Sequence, residues 1–348
     1  FWGFTLAMIF GGPLCDVVGM GRLVALAFVG HLAGILLTIF ATGYWTINGG
    51  TLLIGLGNGL VEAACNPLIA TVYSDEKTKK LNQFHVWFPG GIVIGGLIAW
   101  ALGSDMGYQV KMAVMLLPTL AYGAIFLGMK FPKTERSASQ VSMGEMFKEC
   151  LRPLFLLMFV CMAFTASTEL GPNQWIDNML QASGVDGILV LVWITGLMAL
   201  GRQFAGPIVH RLSPTGMLTF SALFSALGLI ALSQASGNLA IYGAATLFAI
   251  GVCYFWPTML GFVSERLPKT GALGLALMGG MGMLATSKTL EIMGRWYQEN
   301  IAAAGGDEIA GAAATFQTVA WAPAGLIVVF GLLYLNDRRK GGYQAEKI

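Results

Sequence analysis

The sequence predicts an all-α polytopic membrane protein made of two pseudo-symmetric helix bundles. Three observations predict it. First, 56% of the 348 residues are hydrophobic and only 11% are charged, where a soluble domain carries about a quarter charged residues. Second, the chain divides into eleven apolar stretches, each near the ~20 residues that span a bilayer as a helix. Third, lysines and arginines concentrate in every second loop, which fixes an orientation. The net charge of +2 gives no reason to expect a nucleic-acid partner.

The eleven segments fall at about 1–18, 22–43, 48–73, 81–102, 110–129, 152–180, 187–210, 214–234, 238–263, 271–294 and 314–336. The first ends in the turn "GPLCDVVGM" and the second opens after Arg22. The third ends in the charged loop "SDEKTKK" and the fourth opens on "LNQFHVW". The fifth stops before Lys130 and Lys133, and the sixth starts at Arg152 and contains Pro172. The seventh ends at Arg211, followed by "LSP" and the eighth. The ninth stops before Arg266 and Lys269, the tenth near Arg295, and the eleventh before Arg338, Arg339 and Lys340. The loops on the opposite side hold only Lys111 and Arg295. Lys and Arg are retained on the cytoplasmic side, so the C-terminus is expected inside, with the protein in a plasma membrane, the bacterial inner membrane being the expectation.

Residues 130–151 form the longest inside loop, polar and mixed in charge, with an amphipathic stretch from Met143 to Leu151. It separates an N-terminal bundle (1–129) from a C-terminal six-helix bundle with a short tail (152–348). The chain begins at Phe1 within an apolar run and has no basic flank, unlike a secretory leader. The expectation is therefore eleven of twelve helices, with the first helix missing and one wall of the cavity with it. The two parts echo each other at an offset of about 190 residues: "GGPLCDVVGM" with "AGPIVHRLSP", Pro67 and Ser74 with Pro257 and Ser264, and "PGG" at Pro89 with "MGG" at Met278. Duplicated helix units are a common transporter plan.

Asp16 sits in the spacing Gly-x-x-x-Asp-x-x-Gly, followed by Arg22. Glycines allow a tight inter-helix turn, and Asp16 can pair with a basic residue or a helix end. The motif resembles the loop signature of the major facilitator superfamily, and that resemblance implies its fold. Glu62 is the sharper signal. It lies ~18 Å from the helix end near Ser74 at 1.5 Å per residue, near the bilayer midplane, where a charge needs a partner or a wet cavity. A carboxyl that takes up and releases a proton there suits proton coupling; a structural carboxyl tying helices together is the alternative. Asn66, one turn on, shares its face and offers the donors and acceptors that sugar hydroxyls need.

The block "NGLVEAACNP" followed by "LNQFHVWFPGG" resembles the fucose–glucose–galactose permease branch of that superfamily. The resemblance implies a proton-coupled symporter of a monosaccharide, with Glu62 at the sugar and proton site. His85 is a second proton-coupling candidate, since an imidazole titrates near physiological pH. In the sixth segment Pro172, with Gly171, is expected to kink or break the helix. Glu169, Asn173, Gln174 and Trp175 cluster there. Trp can stack on a sugar ring while amides and carboxylates grip hydroxyls. The resemblance places this helix on the cavity; an interfacial Trp belt is the other reading. Tyr254 and Trp256 in "YFWPTM" are cavity candidates or packing residues. Lys288 and Glu291, on one face with Arg295, make an intrahelical ion pair or a gate in which Lys288 steadies Glu169. Arg202, ~12 Å inside its inner end, is expected to snorkel or pair with an inner-face acid in a gating role, as are Asp16 and Arg22.

"GLGNG" lies inside a membrane helix and so is not a dinucleotide loop; Gly55, Gly59, Gly91 and Gly95 read as close-packing positions. The five cysteines are scattered without metal or disulfide spacing. No enzyme signature, cofactor or metal is expected, and uphill transport must draw on an ion gradient. The expected partners are a sugar, a proton and the lipid bilayer, with the chain a monomer. The alternative is an exporter of drugs or other small molecules on the same fold, suggested by "FPGGIVIGG". A nutrient sensor is disfavoured by the short tail "DRRKGGYQAEKI".

Overall fold

Four prolines sit beside breaks between helices. The computed structural model describes residues 1–103 and 105–347. Its helices are α1 (Trp2–Val18), α2 (Met20–Ile39), α3 (Tyr44–Val72), α4 (Lys77–Phe84), α5 (Trp87–Leu102), α6 (Tyr108–Ala113), α7 (Leu116–Phe126), α8 (Glu135–Ala138), α9 (Met143–Cys150) and α10 (Pro153–Gln181). There follow α11 (Gly187–Gln203), α12 (Ala205–Gln234), α13 (Asn238–Val252), α14 (Phe255–Arg266), α15 (Gly271–Ala303) and α16 (Glu308–Arg339). A proline has no N–H for the carbonyl four residues back. Pro89, Pro118, Pro207 and Pro257 each leave such a carbonyl at a junction: α4–α5, α6–α7, α11–α12 and α13–α14.

Pro172 does the opposite of what its sequence context implies. Helix α10 runs unbroken from Pro153 to Gln181 with Pro172 inside it. The adjacent Gly171 packs so closely that a Cβ there would meet the Met293 sulfur at 2.9 Å. Packing of α10 along α15 holds the helix through the missing bond.

Among the described residues, nine helical spans are long and apolar enough to cross a membrane, and Trp2–Val18 and Gly187–Gln203 are shorter apolar helices. Together they match the eleven segments of the sequence. Two boundaries move outward, on either side of the loop between α15 and α16. α15 continues to Ala303, and α16 starts at Glu308 because the Asp307 side chain accepts from the Ile309 and Ala310 amides at 2.9 and 3.0 Å, a helix N-cap. The amphipathic stretch in the linker is α9, opened by a reciprocal Ser142–Glu145 capping box.

The densest core lies among α10–α16, where Phe155, Phe248, Phe255, Phe262, Phe316 and Phe330 are buried. A smaller cluster, Cys15, Met20, Leu23, Val24 and Ala64, joins α1, α2 and α3 and includes Ala272 of α15. The helices before the linker meet those after it along α1–α15, α5–α11 and α4–α14. Gly59 makes one of the closest approaches: a Cβ there would lie 2.5 Å from the Phe4 carbonyl oxygen. Gly91 and Gly95, expected to pack likewise, face open space; Gly96 is the close position, against Val192 of α11.

At the end carrying the Lys- and Arg-rich loops, the two sets of helices are joined by polar contacts. Lys77 pairs with Glu135 at 2.6 Å and donates to the Ser264 carbonyl at 3.2 Å. The Thr78 amide donates to Glu265 at 2.9 Å, and Asn82 to the Thr258 hydroxyl at 3.3 Å.

The internal echo extends to the backbone. "GGPLCDVVGM" turns at Gly19 with φ 89° and ψ 149°; "AGPIVHRLSP" turns at the matching Ser213 with φ 61° and ψ 167°. That region is essentially reserved for glycine and costs a side chain about 1–3 kcal/mol. Ser213→Gly is therefore expected to stabilise the protein by about 1 kcal/mol. A detergent-solubilised melting temperature unchanged or lowered by the substitution would count against this turn.

Candidate functional site

Glu62 lies on α3 in mid-span and is paired, as a carboxylate at that depth requires. Asn66 Nδ2 donates to Glu62 Oε2 at 2.6 Å, the i,i+4 contact of a helix face. His85 Nε2 stands 3.3 Å from Oε1 and 3.4 Å from Oε2. His85 comes from the α4–α5 junction, and its Nδ1 lies 2.8 Å from the Leu81 carbonyl oxygen. A carbonyl can only accept, so Nδ1 carries a hydrogen. Nε2 and the carboxyl can then stay in contact only by sharing one proton, as imidazolium and carboxylate or as imidazole and carboxylic acid. With that proton gone, a lone pair would face a carboxylate.

Across from this pair, Glu169 of α10 and Arg202 of α11 form an ion pair of 2.7 Å in which both side chains are 1% exposed. Of the readings open for these residues, neither a gate between Lys288 and Glu169 nor a snorkelling Arg202 or its pairing with an inner-face acid is formed; the fold pairs Glu169 and Arg202 with each other. Lys288 instead binds Glu291 at 3.2 Å on the exposed outer part of α15, the intrahelical reading. Glu169 also accepts from the Trp256 amide at 3.4 Å. Glu62, His85, Glu169, Arg202 and Trp256 border one small cavity of about 30 Å³, room for a water molecule.

A larger cavity of about 840 Å³ reaches Glu62 from the side of α1, α2, α3 and α7. Most of its lining is apolar, and Phe84, Phe88 and Leu170 close it near the pair. Its polar groups include three residues the sequence reading missed. His31 Nδ1 lies 2.7 Å from the Tyr122 hydroxyl, and His31 Nε2 3.0 Å from Asn58 Oδ1. The legible signal was Asn58, one turn before Glu62, which makes Asn58, Glu62 and Asn66 a single stripe on α3. The partners His31 and Tyr122 are far away in sequence and gave none.

The cluster around Pro172 is divided by its helix. Gln174 is exposed and lines the larger cavity. Asn173 is buried, with Oδ1 unpartnered. Trp175 points away: its indole N–H donates to the Leu290 carbonyl at 3.3 Å and its ring sits 6.3 Å from that of Tyr297. An unbroken α10 places successive side chains 100° apart, so the four cannot share one face. Tyr254 is buried at the α13–α14 junction, and Trp256 reaches the small cavity.

Asp16 and Arg22 are not partners. Asp16 pairs with Arg136 of α8 at 3.0 Å and accepts from Thr134 at 2.5 Å. Arg22 donates to the Val18 carbonyl at 3.5 Å. The linker folds back over the loop and supplies the nearer base.

Comparison with known proteins adds a family. The model of the Major Facilitator Superfamily matches residues 1–287. The fold resembles a crystal structure of the E. coli fucose:proton symporter with TM-score 0.72 and 15% identity, over 95% of this chain and 88% of that one. It resembles a proton:xylose symporter bound to 6-bromo-6-deoxy-D-glucose with TM-score 0.73 and 11% identity, over 95% and 84%. It resembles a human organic anion transporter with TM-score 0.73 and 15% identity, over 95% and 80%. At these identities the likeness is one of fold. No curated protein matches the chain.

Proposed function

We propose that this chain, which belongs to the Major Facilitator Superfamily, is a secondary active transporter that couples uptake of a monosaccharide to a proton. The observation that carries the reading is the one-proton contact between Glu62 and His85 in mid-span. A hexose or deoxyhexose is the substrate class, in keeping with the fucose and xylose symporters that share the fold. Glu62 and His85 hold the proton. Gln174 and Asn58, both on the larger cavity, supply hydrogen bonds to hydroxyls, while phenylalanine faces cover the apolar face of the ring. Asn66, fully buried and lining neither cavity, holds the Glu62 carboxyl instead.

The bundles, 1–129 and 152–348, rock about this layer, joined by the 130–151 linker, in a plasma membrane with the C-terminus in the cytoplasm. Protonation neutralises the pair, so the sugar enters a site without net charge. Release of the proton on the other side restores the charge and drives the sugar off. The chain acts alone, without cofactor.

Uptake of labelled hexoses into cells, with and without a protonophore, tests this. Uptake that collapses with the proton gradient is expected. Clear uptake that ignores the protonophore would defeat proton coupling, and no uptake of any hexose or deoxyhexose would defeat the sugar reading. The second reading, a small-molecule exporter, is favoured by one observation: the larger cavity is lined mainly by apolar side chains. It predicts increased resistance to apolar drugs in expressing cells.

A further inference from the structure

Arg202 is fully buried, and all three of its nitrogens are used. Nη2 donates to Glu169 at 2.7 Å, Nε to the Cys253 carbonyl at 2.7 Å, and Nη1 to the His85 carbonyl at 3.1 Å. The two carbonyls share a cause. In an unbroken helix each would accept from the N–H four residues on. Those positions are Pro257 and Pro89, which have no N–H. A buried carbonyl without a partner is costly. One guanidinium, with its fixed fork of donors, satisfies both.

The three acceptors differ in where they come from. Glu169 and Cys253 belong to the helices that follow the linker, as does Arg202. His85 alone belongs to those that precede it. His85 is also the residue whose ring shares a proton with Glu62. Its side chain therefore faces the proton site while its main chain faces the other bundle.

We propose that Arg202 is a positioning residue that couples the proton state of the Glu62–His85 pair to the contact between the two bundles, through the His85 carbonyl that Pro89 leaves free. The proposal rests on the proton-symport reading. With the proton present, the His85 ring is held between the Leu81 carbonyl and Glu62, and the α4–α5 junction keeps its carbonyl on Arg202. With the proton gone, Nε2 and the carboxylate repel. The ring leaves, the junction shifts, and Arg202 loses its one acceptor in the N-terminal bundle. Arg202 stays neutralised by Glu169 throughout. The charged and titratable groups around the pair are Glu62 and Cys65 of α3, Glu169 of α10, Arg202 of α11, and Cys253 and Tyr254 at the α13–α14 junction.

The test is the distance between the bundles in the full chain, read by spin labels at Asp75→Cys and Arg211→Cys in a Cys65→Ser background. Both label sites are exposed, and the other native cysteines are buried. The otherwise unaltered protein is expected to shift its distance distribution between acidic and alkaline buffer, as the shared proton is gained and lost. Pro89→Ala restores an N–H that competes for the His85 carbonyl. It is expected to lose that shift while Arg202–Glu169 remains intact. Pro323→Ala, in the middle of α16, is expected to keep it. A Pro89→Ala protein that shifts as fully as its parent overturns the role of Arg202 and leaves proton coupling standing. A parent that does not shift overturns the proton-coupled motion itself. Loss of the shift in both proline variants would make the effect one of general helix softening and would also overturn the proposal.

Discussion

Glu62→Gln is expected to abolish sugar accumulation above the external concentration while downhill exchange of preloaded sugar persists. The amide keeps the size of the side chain and can still bond Asn66. It can also donate to His85 Nε2, as the protonated carboxyl does. What it cannot do is release a proton. The variant should therefore mimic the protonated state permanently: it binds sugar, exchanges it, and fails to gain from a proton gradient. The readouts are accumulation in energised vesicles and counterflow in the same vesicles without a gradient. Normal accumulation would remove Glu62 from the coupling site. Loss of both activities with an unchanged melting temperature would mean that Glu62 serves the sugar rather than the proton.

Arg202→Met is expected to be the most destabilising single change in the central layer. It removes a guanidinium from Glu169 and leaves that carboxyl buried without its partner, along with two carbonyls freed by prolines. Breaking a buried ion pair from one side costs about 3–5 kcal/mol. Arg202→Met with Glu169→Gln should recover a large part of this, because the amide carries no charge to strand. The double variant is thus expected to melt above the single one. Equal melting temperatures, or a single variant as stable as its parent, would show that the pair carries no such burden. Only the double variant is fit for transport assays, where it should lose pH-dependent motion even if it binds sugar.

The spans were legible because membrane helices obey a one-dimensional rule. A stretch of ~20 apolar residues must form its own hydrogen bonds in lipid, so length and composition are enough. Charged loops mark the ends by the same logic. The polar stripe of α3 was partly legible too: helical periodicity puts Glu62 and Asn66 on one face, and the same rule reaches back to Asn58. The turn at Ser213 could be matched with Gly19 because duplication keeps local geometry along with spacing.

The effect of each proline was not legible. The sequence context singled out Pro172, with its glycine and polar neighbours, as a break. The helix is instead continuous there, and it breaks at Pro89, Pro118, Pro207 and Pro257. A proline always frees a carbonyl, but whether the chain opens depends on what lies beside it. Close packing of Gly171 on α15 keeps α10 whole. A guanidinium from α11 stabilises the opened junctions at Pro89 and Pro257. The ion pairs follow the same pattern. Asp16 with Arg136, and Glu169 with Arg202, join residues on different elements, and no spacing rule predicts them. The sequence by itself determined the number of spans, their order and the depth of Glu62, because each depends on the composition of one segment. The tertiary structure alone decided which proton Glu62 can share and which carbonyls Arg202 can reach, because those depend on donors and acceptors brought together from distant segments, each costly to bury alone.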